Sequence, residues 1–379
     1  MSTIYIHYPF CLSKCYYCDF NSIACKRTNS ILYLPLYANV LNLFNREFYK
    51  GEKITSIYFG GGTPSLLSVE FIEEILTHIH NTFNITSDAE ITLEVNPKTI
   101  DKNKAKRYKE AGINRLSIGI QSFIDADLKI LGRIHNSYDA LTCVYEMCHT
   151  FNNVSIDLIY NRPGQKVEDW VQELKKALQL PIQHVSLYEL IIEDNTYMKH
   201  LIDKGFLPKP SVSDKFLRKT FEIAEANNFE MYEVSNFAKT CTGYKPLYSR
   251  HNLSYWNYED YYGVGAGAHS RVHSKNGRKC AISQCCNIVK WCNWAKNPVF
   301  KIEELFDEEV YTEKLLMGLR TKLGININDY DKEILKTHNF YFKIKQLIDN
   351  EYAYLNKGRM ILTVEGMLRL NIIVSYLTS

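Results

Sequence analysis

Three cysteines stand close together in the string Cys11-Leu-Ser-Lys-Cys15-Tyr-Tyr-Cys18. Soft sulfur donors at this CxxxCxxC spacing select zinc, copper(I) or an iron–sulfur cluster. A structural zinc wants four closed ligands, and the tight loop offers no fourth: the next positions are Asp19 and Phe20, with Cys25 further on. Three thiolates on a [4Fe–4S] cube would leave one iron without a protein ligand, open to a substrate or cofactor. A zinc site completed from a distant part of the chain, or three free thiols, are the alternatives. No basic-then-apolar leader precedes the first strand-like run. The expectation is therefore a cytosolic protein, in which a dense thiol group binds metal or does redox chemistry rather than forming disulfides.

Other polar groups recur where β-rich runs end. Gly60-Gly61-Gly62-Thr63 follows one run and lacks the Gly-Lys-Ser/Thr ending of a phosphate loop. Bare glycines let backbone groups approach a ligand closely, or simply make a tight turn. Glu94 and Gln121 close two further runs, Asp157 lies inside an apolar one, and Tyr188 and Glu189 lie in a sixth. Active sites of parallel βα barrels gather at the C-terminal strand ends, so six consecutive strands would deliver polar groups to one rim.

The elements that must position these groups alternate up to about residue 235. Strand-like runs are Ile4–His7, Ser56–Phe59, Glu90–Val95, Arg115–Ile120, Val154–Tyr160 and His184–Ile192. Helical patterns at Val69–Phe83, Lys102–Ala111, Tyr138–Phe151 and Val167–Leu178 lie between them, with apolar residues three and four apart. This alternation predicts an α/β protein with a parallel sheet and right-handed crossovers, either an open doubly wound sheet or an incomplete (β/α) barrel. A helix over Ser213–Ala226 and an edge strand over Phe229–Val234 follow. Residues 241–300 read as a connecting region, within which Tyr244–Gly267 is rich in Tyr, Trp, Gly and Asn with weak periodicity. Residues 301–379 read as a small helical, winged-helix-like α+β domain. Its helices are expected near Leu305–Leu319, at Asp329–Thr337, at Phe340–Asp349 and from Thr363 to Leu377, with a strand at Arg359–Thr363. Cys280, Cys285, Cys286 and Cys292 match no tight ligand loop and read as free thiols, and Cys143 and Cys148 pack in a helix.

The ordered series of motifs resembles a known family. CxxxCxxC after a first strand is similar to the radical S-adenosylmethionine (SAM) superfamily. Tyr5-Ile-His-Tyr-Pro-Phe-Cys11 and Cys18-Asp-Phe-Asn-Ser22 resemble its coproporphyrinogen-oxidase-like branch. The likeness continues through Phe59-Gly-Gly-Gly-Thr-Pro-Ser65, Glu94-Val-Asn-Pro97, Arg115–Phe123, Ser186–Leu190 and Tyr232–Phe237. The resemblance implies that residues 1–240 form a partial (β/α)6 barrel carrying a [4Fe–4S] cluster on Cys11, Cys15 and Cys18, with SAM on its open iron. It implies SAM contacts at Gly61, Gly62, Thr63 and Glu94, and further cofactor contacts at Tyr5, Tyr17, Gln121, Arg133 and Asp157. Asn161-Arg162 stands where relatives have Gly-Leu and is expected to set a cation near the rim.

Two features separate the branches. The oxidase motif continues to a fourth cysteine, a place held here by Phe20. His251-Asn-Leu-Ser-Tyr255-Trp256 matches HNxxYW, which resembles HemW-type heme chaperones. There His251 would be the heme ligand, with Tyr255 and Trp256 against the porphyrin; packing of one domain on another is the alternative. His269 is a second imidazole, either a heme or cofactor neighbour or a loop residue. The implied function is to bind heme and pass it to an apo-hemoprotein. The runner-up is a SAM-dependent coproporphyrinogen dehydrogenase that decarboxylates propionates. Composition is compatible with either: 379 residues, 46% hydrophobic, 45 basic and 42 acidic, which gives no electrostatic case for nucleic acid. The longest apolar runs, such as Leu370 to Leu377, fall short of the roughly 18 residues of an integral membrane segment. Whether the protein forms a homodimer is left open.

Overall fold

The computed structural model of the protein describes residues 1–210, 214–240, 243, 245–330 and 339–379. Six strands follow the expected alternation: β1 (Ser2–Tyr8), β2 (Ile54–Gly61), β3 (Ile85–Val95), β4 (Arg115–Gln121), β5 (Val154–Tyr160) and β6 (His184–Glu189). Each pairs in parallel with the next. The crossovers carry α1 (Leu34–Glu47), α2 (Val69–Thr82), α3 (Lys102–Glu110), α4 (Asp125–Ile130), α5 (Ser137–Thr150) and α6 (Val167–Leu178). Ser68, Asp101 and Asn136 start α2, α3 and α5, their side chains accepting the N–H groups of Phe71, Lys104 and Asp139. Each cap satisfies a backbone donor that the first helical turn leaves without a partner.

The pleat sorts the side chains. In β4, Leu116, Ile118 and Ile120 are buried in the main apolar core, while Arg115, Ser117, Gly119 and Gln121 line the inside of the curved sheet. A strand period of two puts one set against the helices and the other towards a cavity.

The sheet continues past these six strands on both sides. After α7 (Tyr197–Asp203) and α8 (Lys215–Ala226) come β7 (Phe229–Glu233) and β8 (Asn236–Lys239). Strand β8 runs antiparallel to β6, and β7 forms the edge beyond it, as expected for Phe229–Val234. On the other side, α9 (Arg250–Trp256) leads to β9 (Asp260–Val264), which pairs in parallel with β1. Then β10 (His269–His273), β11 (Lys279–Ser283), α10 (Ile288–Trp294) and β12 (Ile302–Glu304) extend the sheet antiparallel. The order is β12-β11-β10-β9-β1-β2-β3-β4-β5-β6-β8-β7, with β12 and β7 at the two edges. The barrel is therefore partial, and the stretch read as a connector builds one flank of it.

The C-terminal part is the expected small α+β arrangement. It holds α11 (Asp307–Gly318), β13 (Ile325–Asn326), α12 (Phe340–Asp349), β14 (Ala353–Asn356), β15 (Arg359–Leu362), α13 (Val364–Met367) and α14 (Leu370–Thr378). Strand β15 lies between β13 and β14, and Leu315, Phe340, Met360 and Leu377 share a separate core. The expected helix Asp329–Thr337 lies, beyond Tyr330, outside the described residues. The single last helix is in fact two, broken at Leu368 and Arg369. Strand β6 stops at Glu189 rather than Ile192: the Leu190 N–H donates to the Tyr160 carbonyl, and Ile191 then points into solvent.

Arg162 corrects another expectation. Asn161 takes a left-handed φ of 57° at the end of β5. The Arg162 side chain is fully buried away from the rim, 2.8 Å from Asp127 and paired with Glu173 of α6. Glu173 also accepts the Ser122 hydroxyl and the Phe123 N–H. This ion pair ties α4, α6 and the β5 turn together. Arg162→Met leaves the Glu173 carboxylate buried without its cation and is expected to cost about 3–5 kcal/mol, read as a lower urea midpoint.

Candidate functional site

A cavity of about 480 Å³ opens at the C-terminal ends of β1 to β6. Cys11, Cys15 and Cys18 line it, together with Tyr17. The strand β1 delivers this loop, and a short parallel pairing of Phe10–Cys11 with Ile23–Ala24 closes its base. Burial pushes the Cys11 and Cys18 thiols above their usual range. The Arg133 guanidinium donates to Cys15 Sγ at 3.2 Å, setting a positive charge beside a sulfur that must be anionic to bind iron. Three thiols on one cavity wall with open space in front of them suit a cluster with a free corner. Among the described residues, no group of three or more His, Cys, Asp and Glu side chains is arranged to hold a single metal ion.

Of the expected cofactor contacts, Gly61, Gly62, Thr63, Glu94, Gln121, Arg133 and Asp157 line this same cavity with Tyr17. The glycines serve the chain first. The Gly62 N–H donates to the Tyr8 carbonyl at 2.7 Å. A Cβ at Gly61, where φ is +120°, would sit 2.7 Å from that same oxygen, and one at Gly62 would sit 2.7 Å from the Phe10 oxygen. The glycine run is therefore the seat of the cysteine strand as well as a lining of the cavity.

Glu94 accepts the Gly61 N–H at 3.1 Å and the Tyr58 hydroxyl at 3.0 Å. Burial, with the nearby Asp157 charge adding, raises its pKa to about 7. Asp157 accepts the Ser117 hydroxyl at 3.0 Å and is also held above the usual carboxylate range by burial. Arg115 and Arg133 supply the opposite charge on the same wall. Paired carboxylates and guanidinium groups facing a half-enclosed space can hold a zwitterion: its ammonium on the acids, its carboxylate on the bases. Gln121 itself takes a left-handed φ of 69°, and its amide lies over Gly119, where a Cβ would meet Nε2 at 2.9 Å.

The structure does not bring the remaining expected residues to this cavity. Tyr5 stacks on Tyr58, its ring centroid 6.2 Å away, and its hydroxyl meets His7 Nδ1 at 3.0 Å. Tyr5, Tyr255 and Trp256 line a second cavity of about 370 Å³ beside β9 and β10. His251 lines neither cavity and is only 1% exposed. Its Nδ1 pairs with Ser56 Oγ at 2.9 Å and its Nε2 with the Tyr255 hydroxyl at 3.0 Å. Burial, with Arg115 adding, lowers its pKa to about 3. Sequence reasoning missed Tyr58, Arg115, Ser117 and Ser186 on the first cavity. The alternation Arg115-Leu-Ser-Ile-Gly-Ile-Gln121 carried the signal for two of them.

The model of the radical SAM superfamily matches residues 5–177. The chain is 32% identical over 375 residues to the heme chaperone HemW of Lactococcus lactis, covering 96% of this chain and 94% of that protein. The chain belongs to the HemW family of the radical SAM superfamily. HemW of Bacillus subtilis is 32% identical with 97% of each chain covered. A mitochondrial radical SAM domain-containing protein of Mus musculus is 33% identical over 86% of this chain and 74% of its own length. In fold, the chain superposes on the coproporphyrinogen III oxidase HemN of Escherichia coli with a TM-score of 0.83 at 18% identity, covering 100% of this chain and 90% of that one. Membership in the radical SAM superfamily implies a [4Fe–4S] cluster and SAM, and the donor set of the first cavity fits both. Among the described residues, no helix is long and apolar enough to cross a membrane.

Glu94 binds its proton more tightly folded than unfolded, because its pKa rises from 4.5 to about 7 on folding. The fold therefore loses stability as pH rises through that window. Glu94→Gln removes the titrating group, so urea midpoints measured at about pH 5 and about pH 8 should differ less in the variant than in the wild type.

Proposed function

We propose that this protein is a cytoplasmic heme chaperone that binds heme and delivers it to an apo-hemoprotein. The observation that carries the reading is similarity along the whole chain to proteins named heme chaperone HemW. The intact HNxxYW string supports it, as does Phe20 at the place of the oxidase branch's fourth cysteine.

On this reading Cys11, Cys15 and Cys18 hold the [4Fe–4S] cluster, and Gly61, Gly62, Thr63 and Glu94 hold the methionine end of SAM. Tyr17, Gln121, Arg133 and Asp157 shape the rest of that cavity. Cluster and SAM together supply one-electron chemistry to the site when bound. The protein's own part is electrostatic. Arg133 steadies the Cys15 sulfur, and Glu94 and Asp157 become better anions when an ammonium group arrives to repay their desolvation. Tyr5 backs this wall through Tyr58 rather than touching SAM. Heme is cargo, held by the aromatic second cavity that Tyr255 and Trp256 line. No nucleic acid enters the scheme.

An anaerobic hemin titration of the cluster-reconstituted protein, followed by transfer to an apo-hemoprotein, tests the reading. Saturable binding and transfer are expected, and a protein that binds no hemin ends it. Cys15→Ala is expected to lose the brown absorbance and bound iron of the cluster. It should keep hemin binding, since the two ligands occupy different cavities.

A further inference from the structure

Of the described histidines that line the second cavity, His269 is the one whose ring keeps a nitrogen free to ligate iron. The cavity lies on the same inner face of the sheet as Tyr5, between β9, β10, the end of α9 and α11. Tyr255, Trp256 and Tyr261 give it flat aromatic walls, His269 and Arg271 stand on β10, and Met317 projects from α11. Planar aromatic walls around a half-open space suit a planar macrocycle. The cavity, at about 370 Å³, admits one edge of a porphyrin and leaves the rest at the mouth, which suits a cargo that must leave again.

Three histidines compete for the iron. His7 borders the cavity, but Nδ1 meets the Tyr5 hydroxyl at 3.0 Å and Nε2 the Asn21 carbonyl at 2.9 Å. His251 has both nitrogens engaged, by Ser56 and Tyr255, and reaches no cavity. His269 differs in each respect. It is exposed and lines the cavity. Its Nδ1 is held by Ser283 Oγ at 3.0 Å, and Nε2 has no hydrogen-bond partner among the described residues. An imidazole oriented through one nitrogen with the other bare is the arrangement that metal-ligating histidines take. Arg271 already pairs with Glu313 at 2.7 Å, so the porphyrin carboxylates are left to the solvent at the mouth.

We infer that His269, on the rim of the Tyr255–Trp256–Tyr261 cavity, is the axial ligand of the bound heme. His251 on this view is a positioning residue, whose Nε2 fixes the Tyr255 ring that the porphyrin packs against. The inference rests on the heme-chaperone reading and deepens it.

The test is an anaerobic hemin titration of the full-length, cluster-loaded protein, comparing wild type, His269→Ala, His269→Met and His251→Gln by absorbance, with circular dichroism to check each fold. Hemin binding at least about tenfold weaker in His269→Ala is expected. The Soret band should be displaced in His269→Met and keep its wild-type position in His251→Gln. Wild-type affinity in His269→Ala with a wild-type Soret band in His269→Met would overturn the assignment while leaving the chaperone reading intact. A wild type that binds no hemin would instead remove that reading, and the assignment with it.

Discussion

Backbone packed against backbone, with no side chain between, is the constraint on which the first cavity depends. The Gly60–Gly62 run lies against the end of β1 so closely that a Cβ at any of the three would meet a neighbouring atom at 2.7 Å. At Gly60 that atom belongs to the Tyr5 ring, and at Gly61 and Gly62 to the main chain of Tyr8 and Phe10. A main-chain contact has no rotamer to relieve it. The contact sets where Cys11 leaves the strand and where the Gly61 N–H points, and that N–H in turn fixes the Glu94 carboxylate. The thiols and the acid thus share a single backbone frame, although more than 70 residues separate them in sequence.

Charge burial is the second organising feature. Glu94, Asp157, Arg115 and Arg133 all reach one wall. Burial alone disfavours each of them in its charged form. A wall of this kind is unfavourable for an empty protein and favourable for one that holds a ligand with both signs of charge. Arg162 shows the contrasting use of the same chemistry. Its partners Glu173 and Asp127 complete it internally, so it holds helices together and leaves nothing for a ligand.

Much of this could be read from the residues, and the exceptions have physical causes. The strands β1 to β6 stand within a few residues of their sequence boundaries, because each alternates apolar and small or polar side chains between glycine-rich and polar turns. Helix α1 was as legible as the others: Pro35 opens it, and Tyr37, Val40, Leu41 and Phe44 form its buried face. The β9–β11 flank was concealed by its own packing. Gly263 faces the His269 carbonyl, where a Cβ would sit at 2.0 Å, and Gly265 faces the His7 carbonyl. Glycines demanded by such contacts look in sequence like loop signals, and the strand partner, β1, lies at the opposite end of the chain. For the same reason composition could name the aromatic stretch around His251 but not say which imidazole faces open space. That depended on Ser56, a residue of β2 that no local pattern connects to α9.

The aromatic wall between the two cavities has a thermodynamic consequence. Tyr58 lines the first chamber, Tyr5 lines the second, and the two rings stack on each other. His251 stacks on Tyr58 at 4.8 Å and meets Tyr255 edge-on at 4.8 Å. A ligand that shifts Tyr58 in one chamber cannot leave the walls of the other unmoved, since packed rings transmit displacement rather than absorb it. Where a ligand displaces Tyr58, any change of affinity it causes in the other chamber is the same factor in both directions. Four rings in contact give the two chambers a shared wall, a route for coupling that needs neither a hinge nor a moving domain.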